Sequence, residues 1–163
     1  MEGGHTLERC REVTEQVLHK VFGELRSQRV RMEGLILKSN MILPGVTCPI
    51  QETVDEVADA TVTCLLRVVP AAVPGIAFLS GGQSGELASA RLNAMNVGFK
   101  SQLPWELAFS FGRAIQQPAL EIWHGEQANT HPAQQALYHR ATCNRAARRG
   151  EYDAVFEADH ARR

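Results

Sequence analysis

Apolar positions in the first part of the chain recur at three- and four-residue steps, at Leu7, Cys10, Val13, Val17, Leu18, Val21, Phe22 and Leu25. That period predicts one face of an amphipathic helix of about six turns, with Thr6 as its N-cap. The pattern then changes. Leu35-Ile36-Leu37 is too short for a helix and does not alternate, which suits a parallel strand covered on both faces, and it ends on Lys38. After a loop containing Pro44, Gly45 and Pro49, a second helix is predicted over 52–69, with Val54, Val57, Ala58, Val62, Leu65 and Leu66 inward. Pro70 and Pro74 stop it. Gly75 to Ser80 is another short apolar strand, a third helix is predicted over 85–96, and a third strand over 106–112. From Ala114 onward the chain is predicted to be helical, with breaks at Pro118, Gly125, Pro132 and Gly150.

Helices alternating with short apolar strands predict an α/β fold with a parallel sheet. The first helix, however, lacks the strand against which a βα unit packs it. Three parallel strands are few for an independent sheet, and a complete (β/α)₈ barrel takes about 250 residues. The chain is therefore expected to be the carboxyl-terminal part of something larger. A three-stranded α/β domain standing alone is the alternative, and it would leave both outer strands with unpaired edges.

Composition narrows the partners. The chain has 163 residues, 44% of them hydrophobic, enough for one core of ordinary size, and its net charge of −1 suggests neither nucleic acid nor an anionic membrane. A short basic cluster at Arg145, Arg148 and Arg149 is expected on a solvated helix face. Cys10, Cys48, Cys64 and Cys143 form no CxxC pair, so free thiols in a reducing cytosol are expected rather than a zinc knuckle or redox dithiol. No signal peptide is legible at the amino terminus, and the longest apolar region is interrupted by Arg67, Pro70 and Pro74. A soluble, cytoplasmic protein is expected.

The strand ends carry the candidate chemistry, because ligands of parallel α/β folds bind where the loops leave the carboxyl ends of the strands. An isolated lysine such as Lys38 would more often just reach solvent. Here two further strand ends carry complementary groups. Ser80-Gly81-Gly82 leads into a helix, so glycine N–H groups and the positive end of the helix dipole can converge on an anion. Gly112-Arg113 offers another unobstructed N–H and a guanidinium fork that takes two phosphate oxygens at once.

Leu37-Lys38-Ser39-Asn40-Met41, Phe78-Leu79-Ser80-Gly81-Gly82-Gln83-Ser84, Leu92-Asn93-Ala94-Met95-Asn96, Pro104-Trp105 and Phe109-Ser110-Phe111-Gly112-Arg113-Ala114 together closely resemble class I fructose-1,6-bisphosphate aldolase. The resemblance runs from near His5 to about Gln117 and continues more weakly to Tyr152. It implies the last three strands of a TIM barrel with their flanking helices over 1–117, and a helical tail over 118–163 in the same domain. It also implies reversible cleavage of fructose 1,6-bisphosphate to dihydroxyacetone phosphate and glyceraldehyde 3-phosphate through a lysine imine, with no cofactor and no metal. Lys38 matches the imine lysine; Ser80, Gly81, Gly112 and Arg113 match the site for the ketose C1 phosphate. An amine attacks a ketone only when neutral, and an apolar strand end with cations nearby is the kind of place that disfavours the ammonium form.

The departures also matter. Ser39 stands where the family usually carries proline, and no counterpart is present for the family's proton-transfer glutamate and second lysine, its aspartate near the substrate hydroxyls, its C6-phosphate groups or the terminal tyrosine of animal aldolases. A non-catalytic remnant that binds a sugar phosphate through half a site is thus the competing expectation. The expected partner is a sugar phosphate, with either a homo-oligomer, commonly a tetramer in the family, or complementation by the missing amino-terminal part. His124, His131 and His139 do not repeat a metal-binding spacing, and Trp105 and Trp123 are expected to be packing residues. Asp55, Glu56 and Asp59 are expected to be solvated.

Overall fold

The computed structural model describes residues 2–158. Helix α1 (Leu7–Ser27) precedes β1 (Ile36–Ser39), α2 (Val54–Val68), β2 (Gly75–Phe78), α3 (Gly85–Gly98), β3 (Glu106–Phe109), α4 (Arg113–Trp123), α5 (Thr130–Arg149) and α6 (Ala154–Ala158). The strands form one parallel sheet in the order β1-β2-β3, with Ile36 opposite Gly75 and Gly75 opposite Glu106.

Local chemistry accounts for the helix starts. The Thr6 hydroxyl accepts the Arg9 N–H, the Ser84 hydroxyl accepts the Leu87 N–H, and Thr53 with Glu56 completes a reciprocal capping box. The capping pair holds the Glu56 carboxyl below its ordinary value, chiefly through the Thr53 N–H. The α3 start is also a close approach: a Cβ at Gly85 would lie 2.9 Å from the Ala114 carbonyl and 2.8 Å from Arg140 Nε. Glycine there lets the beginning of α3 dock under α4 and α5.

The core lies between one face of the sheet and the helices. Ile76, Phe78 and Leu107 meet Leu18 and Phe22 of α1, Val57, Val62 and Leu65 of α2, and Leu92 and Met95 of α3. Met41, Ile42 and Leu43, directly after β1, are buried as well, and the Ile42 N–H donates to the Thr61 hydroxyl on α2 at 2.9 Å. Trp105 is a packing residue as expected, 4% exposed, with its indole N–H donating to the Pro70 carbonyl. Trp123, by contrast, is exposed at the end of α4.

Several boundaries and faces differ from the sequence pattern. Among the described residues only one face of the sheet is covered: β1 alternates, with Leu37 and Ser39 turned toward the helices and Ile36 and Lys38 toward the open face, where Ile36 is 62% exposed. Val13, Val17 and Val21 of α1 and Leu66 of α2 are exposed, because no element among the described residues packs over that part of either helix. β3 ends at Phe109, since Gly112 already caps α4, and α3 runs on to Gly98. Gly125 and Gly150 do break the chain, both in left-handed geometry. Pro118 and Pro132 do not. Pro132 sits in the first turn of α5, where its missing N–H would have no intrahelical partner, and α4 passes through Pro118 because Ala119 packs against Ala133 and Ala136 of α5. No helix among the described residues is long and apolar enough to cross a membrane.

Candidate active site

Lys38 lies at the carboxyl end of β1, the edge strand, directly opposite Ala77 of β2. It is exposed on the open face, so the apolar surroundings expected at this strand end are only partly supplied by the described residues. The ladder continues one step further, with the Leu79 N–H donating to the Ser39 carbonyl at 2.9 Å. Ser39 itself is buried and is the last residue of β1.

Ser80 follows on β2 and is 5% exposed. Its carbonyl accepts both the N–H and the side-chain amide of Gln83, which closes a tight turn through Gly81 and Gly82 at φ of 61° and 88°. Those angles lie in the left-handed region, where glycine is at ease and other residues are strained. The turn feeds directly into the Ser84 cap of α3. Glycine backbone and helix N-terminus therefore meet, as the anion-binding geometry requires.

Gly112 and Arg113 stand at the end of β3, held beside β2 by the Ser110 N–H donating to the Phe78 carbonyl. The Gly112 carbonyl accepts N–H groups from Ile115 and Gln116 and so starts α4, leaving Arg113 exposed in its first turn. Gly82, Gln83, Ser84 and Arg113 line one groove of about 460 Å³ between the starts of α3 and α4. Of the residues expected at the site, Arg113 lines this groove and Lys38, Ser80, Gly81 and Gly112 do not; Lys38 stands near the end of β1 and Ser80 and Gly81 after β2.

The sequence pattern left out two residues that hold this geometry. The Gln83 amide donates to the Ser80 carbonyl at 2.9 Å and toward the Met41 sulfur at 3.6 Å, while its oxygen accepts from Arg91 Nη1 at 2.9 Å. Arg91, on α3 and 7% exposed, thus ties the turn after β2 to the segment after β1. Burial pushes the Arg91 guanidinium below its ordinary value, and the nearby Glu52 carboxylate works in the other direction. A polar position on α3 one helical face away from a glycine turn was the available signal, but nothing in the sequence shows that it is buried.

A family model described as "Glycolytic: Fructose-bisphosphate aldolase class-I" matches residues 1–163. The chain belongs to the class I fructose-bisphosphate aldolase family. It is 51% identical over 162 residues to fructose-bisphosphate aldolase B of Gallus gallus and 50% identical over 160 residues to that of Sparus aurata, in each case covering 98% of this chain and 44% of the relative. The aldolase of Plasmodium falciparum, solved in complex with TRAP and a small-molecule inhibitor, superposes with a TM-score of 0.88 at 42% identity, covering 94% of this chain and 44% of that one. The chain thus spans less than half the length of these class I aldolases, and its three parallel strands with their helices are an aldolase-like part of a TIM barrel.

Proposed function

We propose that this chain supplies the imine-forming lysine and the C1-phosphate site of a fructose-bisphosphate aldolase, with Lys38 as nucleophile and Ser80, Gly81, Gly112 and Arg113 as phosphate ligands. The observation that carries this is the order of groups beyond the carboxyl ends of three adjacent parallel strands: Lys38 near the end of β1, the glycine turn after β2 and Arg113 at the start of α4 after β3, in a chain of this family. The glycine turn and the start of α4 offer backbone N–H groups, and Arg113 offers charge and two donors in a fork. The Lys38 amine attacks the ketone carbon of a bound ketose phosphate, water leaves, and the protonated imine accepts the electron pair released when the C3–C4 bond breaks.

Cleavage also needs positioned acids and bases, each contributing typically about 10²–10⁴-fold, and groups that orient the second phosphate. In the family these lie in the part of the barrel outside this chain's match. The 163-residue chain alone therefore binds and forms the imine without appreciable turnover, and cleaves only when complemented by the remaining strands. Family resemblance favours a tetrameric complete enzyme, and the four free, buried cysteines suit a reducing cytoplasm.

The test is reductive trapping. Purified chain incubated with dihydroxyacetone phosphate and borohydride is expected to carry a covalent adduct on Lys38, located by peptide mass spectrometry, and Lys38→Met is expected to remove it without altering the circular dichroism. An adduct spread over surface lysines, or none at saturating ligand, would defeat the proposal. Cleavage at the rate of a complete aldolase would refute the part concerning missing groups.

A further inference from the structure

Away from the strand ends, three side chains are arranged like a coordination shell. His139 and Cys143 lie one turn apart on α5, and α6 returns Glu157 to them. The Cys143 sulfur is 3.6 Å from His139 Nε2, and the same nitrogen is 3.3 Å from Glu157 Oε2; one donor atom from each residue lies within 4.8 Å of the others. Zinc bonds of about 2.3 Å to sulfur and about 2.0 Å to nitrogen or oxygen, at tetrahedral angles, separate S from N by about 3.5 Å and N from O by about 3.3 Å. The two measured edges have those lengths.

Two other uses of the cluster fit less well. In a nucleophilic relay the thiol and the carboxylate address opposite nitrogens of the imidazole, whereas here both face Nε2. The Cys143 sulfur is also fully buried, and burial pushes its thiol up to about 11, which suits no free nucleophile. As a purely structural network, Glu157 is already served by the Tyr152 hydroxyl and Arg140 Nη1, each at 2.6 Å. The Cys143 thiol joins that network through a hydrogen bond to Glu157, and an ion would take the place of its proton.

Arg140 is the obstacle to a cation, and its surroundings meet it. It lies 2.6 Å from Glu157 and 3.5 Å from Glu86, and Ser89 accepts a further bond. A divalent ion that displaces the thiol proton leaves two carboxylates and one thiolate facing one guanidinium and the dication, so the charges cancel. His139 and Glu157 keep 15% and 25% of their side-chain surface exposed, which leaves room for water as a fourth ligand. The mixed sulfur, nitrogen and oxygen donors suit zinc and disfavour magnesium or calcium.

We propose that His139, Cys143 and Glu157 bind a zinc-class divalent ion that clips α6 onto α5. The site is independent of the aldolase reading. The test is titration of the chelator-treated 163-residue chain with Co²⁺, which reports thiolate ligation through a near-ultraviolet sulfur-to-cobalt band. The expected result is one ion per chain, with that band, one proton released and displacement by Zn²⁺. Cys143→Ser should abolish the band, and His139→Gln, a change at a partly exposed position, should weaken binding by about tenfold or more while the fold stays intact by circular dichroism. Absence of the band at excess Co²⁺, its survival in folded Cys143→Ser, or an unchanged Co²⁺ affinity in folded His139→Gln overturns the proposal.

Discussion

Gln83 shows how much of a site can rest on a residue with no chemical role. Its amide holds the Ser80 carbonyl while its oxygen accepts a hydrogen bond from the buried Arg91 guanidinium. Removing that oxygen leaves a buried cation short of an acceptor, which costs about 1–3 kcal/mol. Gln83→Ala is therefore expected to lower the unfolding free energy measured in urea by that amount, and adding Arg91→Met is expected to restore part of it, because the unpartnered charge leaves with the arginine. Additive losses in the double variant would show that the Gln83–Arg91 bond is not what holds the turn. At this scale the sequence made the position of residues near strand ends legible: Lys38 lies in β1, Ser80 and Gly81 follow β2, and Gly112 and Arg113 begin α4 after β3. It was silent on Gln83 and Arg91, whose importance comes from burial, and on the pairing of His139 and Cys143 with Glu157, which depends on how the chain folds back after Gly150.

Helices were the most legible elements because their ends are fixed by local bonds. Thr6 caps α1 where the pattern predicts, whereas Thr53 caps α2 two residues inside the predicted start and Ser84 caps α3 without having been singled out. Burial of each face was less legible, since Val13, Val17 and Val21 have the period of a buried stripe and only the packing of neighbours decides whether it is covered. The same holds for Pro118, where packing of α4 on α5 overrides the local cost of a lost N–H. The α2 cap also gives a pH prediction. The Glu56 carboxyl is lowered in the folded chain below its ordinary 4.5 by the Thr53 N–H and hydroxyl. Its contribution is therefore fully present above that value and is lost as pH falls through the lower folded value. Melting temperature should fall with acidification below about pH 4.5, and Glu56→Gln should fall less steeply over the same range. Parallel curves for the two proteins would remove Glu56 from the explanation.

For the molecule as a whole, the decisive fact is that a sheet edge and one sheet face are open. The open face is not uniformly apolar: Ile36 is exposed there, but so are Lys38 and Glu106. The edge of β1 carries unpaired backbone groups, and such edges recruit further strands. Sedimentation velocity across a concentration series is expected to show mass above that of one chain, reduced by Ile36→Lys, which places charge on the edge strand. A single monomeric boundary at all concentrations would show that the edge is protected.

The parallel ladder also sets a timescale. The Leu79 N–H reaches the Ser39 carbonyl, so along β1 the backbone groups of Leu37 and Ser39 face β2 while those of Ile36 and Lys38 face outward. β2 is bonded on both sides. In deuterated water the Ile36 and Lys38 amides should exchange almost as fast as those of an unstructured peptide, while Ile76 and Phe78 hold their protons until the sheet opens as a unit. The lysine would then sit on a backbone that fluctuates freely, and pairing of β1 with one more strand would be visible first as slowed exchange at Lys38.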